Sequence, residues 1–122
     1  MRKFAAVIAC LFVLLSEIAV DAGRFENVMK RAVSGDVKAQ YSLGVMYADG
    51  LSVEQDYSEA VKWYRLAADQ GNAQAQCNLG VMYYSGKGVS QDYSEAVKWW
   101  RKVAQQGYKP AQDELKKRHE TW

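Results

Sequence analysis

The chain contains a long internal repeat. The nine residues "DYSEAVKWY" that begin at Asp56 return as "DYSEAVKWW" beginning at Asp92, an offset of 36 residues. Alignment of residues 35–70 with residues 71–106 gives 22 identical positions out of 36. A duplicated unit of this length is typical of repeat proteins, in which each copy packs on the next, and it constrains the fold more than any single motif does.

Each copy contains two helical patterns separated by a glycine-containing loop. In the second pattern, apolar residues fall on one broad face and polar residues on the other, as in a half-buried helix. Asp56 and Asp92 are predicted N-caps, each with a glutamate three residues later in a capping-box-like arrangement. Gly71 and Gly107 are predicted to end the helices in the left-handed conformation.

The predicted fold is all-α, an α/α superhelical repeat (solenoid) of antiparallel helix pairs with about six helices. We assign residues 35–70 to repeat 1 and residues 71–106 to repeat 2. Residues 23–34 are predicted to form an N-terminal capping helix, and residues 107–122 a C-terminal capping helix with a basic tail. The basic run at residues 116–118 is interpreted as a solvated last helical turn. A single helix pair cannot bury its own core, and a second copy supplies a matching surface.

Residues 1–22 have the pattern of a signal peptide. Arg2 and Lys3 precede an apolar run at residues 4–15, which is too short to span a membrane comfortably, and small residues follow. We expect cleavage near Ala22 and therefore an exported protein, periplasmic or secreted, with no membrane span in the mature chain. Two alternatives stay open, namely a lipoprotein box ending at Cys10 and an uncleaved membrane anchor.

Composition and charge exclude several classes of protein. The chain is 49% hydrophobic and 25% charged, as expected for an ordinary folded protein rather than a disordered one. A net charge of +2 argues against a dedicated nucleic-acid binder. Cleavage near Ala22 would leave Cys77 as the only cysteine, so the mature chain would have no internal disulfide.

The sequence offers no catalytic constellation, which requires a nucleophile, a base and an orienting group. His119 is the only histidine and lies in the basic tail, where we expect a surface residue. Cys77 lies on a predicted helix and is interpreted as a small hydrophobic residue, although its reactivity stays open. The segment "GKGVSQD" lacks the Walker spacing of a phosphate loop. We therefore predict no catalytic residues, no metal site and no cofactor.

The residue pattern of each copy resembles the Sel-1-like repeat family, which is related to tetratricopeptide repeats. In the first copy the residues of this pattern are Ala39, Leu43, Gly44, Tyr47, Gly50, Val53, Asp56, Tyr57, Ala60, Trp63, Tyr64, Ala67, Ala68 and Gly71, and the pattern recurs from Ala75 to Gly107. The resemblance covers roughly residues 35–115. It implies an α/α superhelix used as an adaptor that holds other proteins, commonly in bacterial envelopes, secretion and host contact.

The chain departs from this family in two respects. Family members often carry many repeats, whereas this chain has two full copies and end fragments, so its groove should be small. A cysteine-rich branch, some of whose members are linked to β-lactam binding, has paired cysteines within repeats, and no such pair occurs in these repeats. A cell-wall or β-lactam hydrolase is therefore the weakest of our functional hypotheses.

Partner-binding residues should lie where the two copies differ, because packing demands similarity and a partner does not. By the family's geometry, the first helix of each repeat lines the concave side. The predicted binding strip consists of Lys38, Tyr41, Ser42, Val45 and Asp49 in repeat 1 and of Gln74, Asn78 and Val81 in repeat 2, with Cys77 and Ser85 on the same face.

Our first functional hypothesis is a non-enzymatic adaptor of the bacterial envelope that binds a protein or peptide on this strip. The alternative is a secreted factor that acts in host-cell interaction or virulence. We expect a monomer or a weak homodimer, since an exposed apolar end of so short a stack can self-associate.

Overall fold

The structure, a computed structural model, describes residues 2–122, without the side chains of residues 2–6 and 10. This part of the chain forms six α-helices and no strand. The helices are α1 (Arg2–Val33), α2 (Val37–Asp49), α3 (Tyr57–Asp69), α4 (Ala73–Ser85), α5 (Tyr93–Ala104) and α6 (Lys109–Lys117). Each helix packs against the next along the chain. The predicted all-α stack of helix pairs is therefore confirmed.

Capping residues determine where the helices of each repeat begin and end. The Asp56 carboxylate accepts a hydrogen bond from the backbone N–H of Glu59 at 3.1 Å, and Asp92 caps α5 in the same way. The backbone N–H of Asp56 donates to the carbonyl of Tyr47 at 2.9 Å, so it does not complete a reciprocal capping box with the Glu59 carboxylate. Gly71 follows α3 with a φ of 90°, as predicted for a left-handed helix end.

Two glycines let the helices of each repeat approach closely. A Cβ atom on Gly44 would lie 2.5 Å from the ring of Tyr64, and one on Gly80 would lie 2.3 Å from the indole of Trp100. Both aromatic side chains are buried. The aromatic residue of the second helix therefore occupies the space that a larger residue would take on the first.

A side-chain hydrogen bond, buried in the first two cases and partly buried in the third, joins each first helix to the helix before it. The side-chain amide of a glutamine donates to the carbonyl oxygen of an alanine eight residues earlier, which satisfies a polar group inside the core. The three bonds run from Gln40 to Ala32 (3.2 Å), from Gln76 to Ala68 (3.0 Å) and from Gln112 to Ala104 (3.0 Å). Because they recur every 36 residues, α6 docks as the first helix of a third repeat would.

Helix α1 continues without a break across the predicted boundary between residues 22 and 23. Its last turns pack on α2 through Phe25, Val28, Met29 and Ala32, and so cover one end of the stack. The described side chains of residues 7–22 are exposed. No helix within residues 2–122 is long and apolar enough to cross a bilayer.

Helix α6 closes the other end of the stack with a half-buried arginine. The guanidinium of Arg118 lies 3.9 Å from the ring centroid of Tyr84 and 4.6 Å from that of Trp100, and it pairs with Glu114. The interpretation of residues 116–118 as a solvated turn is therefore wrong for Arg118. Its aliphatic stem and planar head group suit a position against aromatic rings.

Candidate protein-binding surface

Most of the predicted binding strip lies in two pockets along α2 and α4. Lys38, Ser42, Asp49, Gln74 and Val81 are exposed, and Tyr41, Val45 and Asn78 are half-buried. Six of these eight residues line one of the two pockets described below, and Lys38 and Gln74 line neither.

The first pocket, called here the α1–α2 pocket, has a volume of about 420 Å³. Predicted residues Tyr41, Ser42 and Val45 contribute to it from α2. The other lining residues are Arg24, Val28, Met46, Leu51 and Ser52. Arg24 and Val28 were not predicted, because a single sequence does not show which face of α1 packs beside α2.

The second pocket, called here the inter-repeat pocket, has a volume of about 230 Å³ and lies between the two copies. Predicted residues Asp49, Asn78 and Val81 contribute to it from α2 and α4. The other lining residues are Ala48, Tyr57, Tyr64, Met82 and Lys87. Ala48, Tyr64 and Met82 are buried, whereas Asp49, Val81 and Lys87 are exposed at the mouth. The pocket therefore combines an apolar floor with a polar rim.

Tyrosine side chains connect the floors of the two pockets. The ring of Tyr41 lies 5.9 Å from the ring of Tyr64, within the range of favourable aromatic pairs. Burial raises the pKa of the Tyr64 phenol to about 12, against the lowering effect of the neighbouring Asn78 side chain. Tyr41 is thus partly a packing residue, and its outer edge alone is available to a partner.

Cys77 does not belong to the exposed face on which the sequence pattern placed it. Its side chain is buried among the residues of the second core cluster, and the indole N–H of Trp100 donates to its backbone carbonyl at 3.1 Å. Burial, with a smaller contribution from Glu114, raises the pKa of the thiol to about 11. The thiolate is therefore scarce at neutral pH, and Cys77 acts as a small core residue.

A third pocket, of about 410 Å³, lies along the second helix of repeat 2. Its lining residues are Glu95, Lys98, Trp99, Arg101, Lys102 and Gln105. Arg101 is engaged by the C-terminal tail, because its guanidinium donates to Glu120 at 2.7 Å and to the Thr121 carbonyl at 2.8 Å. This pocket shares no residue with the predicted strip.

The fold is that of a repeat protein built from helix pairs, with small pockets along the first helices of its repeats. Residues 37–72 and 73–108 each match the Sel1 repeat. These two matches cover more than half of the chain, which therefore belongs to the Sel1 repeat family. Members of this family usually serve as protein-interaction scaffolds and are generally non-catalytic.

The chain is similar to parts of viral and of bacterial proteins. It is 47% identical over 45 residues to the putative sel1-like repeat-containing protein L18 of Acanthamoeba polyphaga mimivirus, covering 37% of this chain and 8% of that protein. It is 40% identical over 63 residues to the secretory immunoglobulin A-binding protein EsiB of Escherichia coli, covering 52% of this chain and 13% of EsiB.

Two solved structures share the fold. One is a protective antigen of uropathogenic Escherichia coli strains that displays an SLR fold, with a TM-score of 0.71 and 46% identity over 72% of this chain and 19% of the antigen. The other is a Sel1 repeat protein from Oxalobacter formigenes, with a TM-score of 0.73 and 36% identity over 85% of this chain and 42% of that protein. The chain spans less than half the length of EsiB and of either structural relative.

Proposed function

We propose that the protein is a non-enzymatic adaptor that binds a protein or peptide on the surface formed by α2 and α4. The observation that carries this proposal is the pair of neighbouring pockets along these helices. Six residues of the predicted strip line them, and four of these six differ between the two copies. Small pockets with an apolar floor and a polar rim are the usual anchoring points for side chains of a partner.

The mechanism is pre-organisation of the binding surface. Close packing at Gly44 and Gly80 and the repeated glutamine bonds hold the two first helices at a fixed spacing. A rigid surface loses little conformational freedom on binding, so most of the entropic cost falls on the partner. The residues of α2 and α4 that differ between the copies then select the partner.

We place this adaptor outside the cytoplasm, with residues 1–22 as a cleaved leader. The exposure of the described side chains of residues 7–22 supports this proposal, because an apolar helix with no packing partner adds nothing to the folded repeats. N-terminal sequencing of the protein purified from its natural source tests the assignment. A start at Gly23 supports it, and a start at Met1 contradicts it.

A second candidate function is contact with a host protein after secretion. The relative EsiB is named as a binder of secretory immunoglobulin A, and its 40% identity covers about half of this chain. Recovery of the folded protein from the culture medium rather than from the cell envelope would favour this second candidate over an envelope adaptor.

The binding surface is tested by affinity capture after mild cross-linking in the cells that naturally produce the protein. The test variant is Ser42→Arg with Val81→Glu, which changes one exposed residue in each pocket. The matched control is Ser58→Arg with Leu66→Glu, which makes the same chemical changes at exposed positions of α3.

We expect a partner that the parent and the control retain and that the test variant loses. Circular dichroism and the free energy of unfolding establish that all three proteins are folded. Equal retention by the test variant and the parent would contradict the proposed surface and direct attention to the pocket along α5 or to the basic tail.

A further inference from the structure

The inter-repeat pocket has a counterpart 36 residues further along the chain, and the two differ in one decisive respect. The aligned pairs are Ala48 with Tyr84, Tyr57 with Tyr93, Tyr64 with Trp100, Asn78 with Glu114 and Met82 with Arg118. The aromatic walls are therefore kept in both copies. The small residue that forms part of the floor in the first copy is a tyrosine in the second.

In the second copy, the chain fills this space with its own side chain. The ring of Tyr84 lies 5.0 Å from the ring of Tyr93 and 5.7 Å from that of Trp100. These spacings are those of favourable tilted aromatic pairs. The guanidinium of Arg118 covers the same ring at 3.9 Å, so the counterpart is both occupied and closed.

In the first copy, the same space is open. Ala48 supplies only a methyl group, and it lines the pocket of about 230 Å³ together with Tyr57 and Tyr64. The aligned residue of the second copy, Tyr84, supplies a ring. Met82 takes the place of Arg118 as part of the lining. The ring of Tyr64 pairs with that of Tyr41, whereas the position that Tyr84 fills in the second copy holds only the methyl group of Ala48.

We propose that the inter-repeat pocket binds an aromatic side chain of the partner protein, in the position that Tyr84 occupies in the second copy. This inference rests on the proposed adaptor function and specifies the chemistry of its partner. The protein itself provides the analogue of the bound group, because Tyr84 shows how a ring fits between two aromatic residues of this repeat.

The rim of the pocket favours tyrosine among aromatic side chains. Asp49, Asn78 and Lys87 place polar groups around an otherwise apolar cavity. The Lys87 ammonium lies over the ring of Tyr57, 5.2 Å from its centroid, which brings a hydrogen-bond donor to this aromatic wall. A phenolic hydroxyl can both donate and accept, and it therefore matches this mixed rim.

The test uses isolated amino-acid amides as probes, so that it does not depend on the identity of the natural partner. N-acetyl-tyrosinamide and N-acetyl-leucinamide are titrated into the full chain labelled with ¹⁵N, and backbone amide shifts are followed by NMR. We expect saturable shifts centred on Ala48, Asp49 and Val81, and binding of the tyrosine probe about fivefold tighter than that of the leucine probe.

Two variants locate the site. Ala48→Tyr should fill the pocket as Tyr84 fills its counterpart and abolish the shifts, whereas Ser58→Tyr on an exposed position of α3 should leave them unchanged. If Ala48→Tyr does not fold, Val81→Glu at the exposed mouth of the pocket serves instead. It should weaken the binding of the tyrosine probe several-fold, because it places a carboxylate against the ring of the bound probe.

The proposal is overturned if the tyrosine probe gives no saturable shifts, if the leucine probe binds as tightly, or if filling the pocket leaves the titration unchanged. These outcomes are separable from failure of the adaptor function. If a partner is still captured through α2 and α4 but the tyrosine probe does not bind, only the proposed aromatic specificity is refuted. If the pocket binds the tyrosine probe but no partner is captured, only the proposed adaptor function is refuted.

Discussion

Single residues set the distances between helices in this fold, and Gly80 is the clearest case. We predict that Gly80→Ala destabilises the protein by about 1–2 kcal/mol, because its methyl group would overlap the fully buried indole of Trp100. Urea unfolding followed by circular dichroism measures the change. Ser42→Ala, at an exposed position of another first helix, should change the stability by less than about 0.5 kcal/mol.

A stabilised Gly80→Ala variant would contradict the close-packing argument. Alanine is a better helix former than glycine by about 1 kcal/mol, so an open site would gain stability from the substitution. The sign of the change therefore distinguishes steric contact from simple helix propensity.

Two buried residues make the stability depend on pH in the alkaline range. The pKa of the Cys77 thiol is raised from 9.0 to about 11, and that of the Tyr64 phenol from 10.0 to about 12, in both cases mainly by burial. Each group is neutral when protonated, so the folded state holds its proton more tightly than the unfolded state. Their contribution is therefore full below pH 9 and is lost as the pH rises towards 12.

Urea unfolding at pH 8, 10 and 11 tests this prediction. The free energy of unfolding should fall across the series, and that of the Cys77→Ala variant should fall less steeply between pH 8 and 11 than that of the parent. A free energy of unfolding that stays constant over this range would show that neither side chain is buried as described.

Among the helices, α5 illustrates how a local signal fixes an element. We predict that Asp92→Ala lowers the free energy of unfolding by about 1 kcal/mol, because the Asp92 carboxylate accepts a hydrogen bond from the backbone N–H of Glu95 at 3.0 Å. Asp92→Asn should retain most of the stability, since an amide oxygen can accept the same bond. The control Asp69→Ala, at an exposed position near the end of α3, should cause no loss. Equal stability of the parent and Asp92→Ala would refute the cap.

Helices α2 to α6 were predictable because their signals are local. Periodic apolar residues, the N-cap aspartates of α3 and α5 and the glycines after α2 to α5 all lie within a few residues of the boundaries that they set. Helix α1 was predicted less well, since nothing between Asp21 and Gly23 forces a helix to end, and the helix runs on through residue 22. The half-buried Arg118 was missed because its aromatic contacts come from α4 and α5.

At the scale of the whole molecule, the stack depends on its ends as well as on its repeats. We predict that Arg118→Ala lowers the free energy of unfolding by about 1–2 kcal/mol, because it uncovers Tyr84 and Trp100 and removes one of the two charged partners of Glu114, the other being Lys117. Arg118→Lys should recover only part of this loss, as an ammonium lacks the planar stacking surface. The exposed Lys117→Ala should have little effect, and an equal loss in that variant would contradict the end-cap role.

The binding surface was partly predictable from the sequence. Differences between the two copies selected four residues that line pockets, because substitutions that packing does not demand remain visible when a repeat is compared with itself. The outward face of the first helices added Val45 and Val81, which are identical in the two copies. The lining residues Arg24, Tyr57 and Lys87 were missed. They come from α1, from the start of α3 and from a loop, and their position beside α2 and α4 follows only from tertiary packing.

The central claim is that the partner contacts α2 and α4, and site-specific photo-crosslinking tests it most directly. A photoreactive phenylalanine analogue is placed at position 42 or 81, in the two pockets, and at the exposed positions 58 or 66 of α3 for comparison. After irradiation in the cells that naturally produce the protein, the account predicts a discrete adduct from positions 42 and 81 and none from positions 58 and 66. Adducts formed from α3 alone, or from none of the four positions, would contradict it.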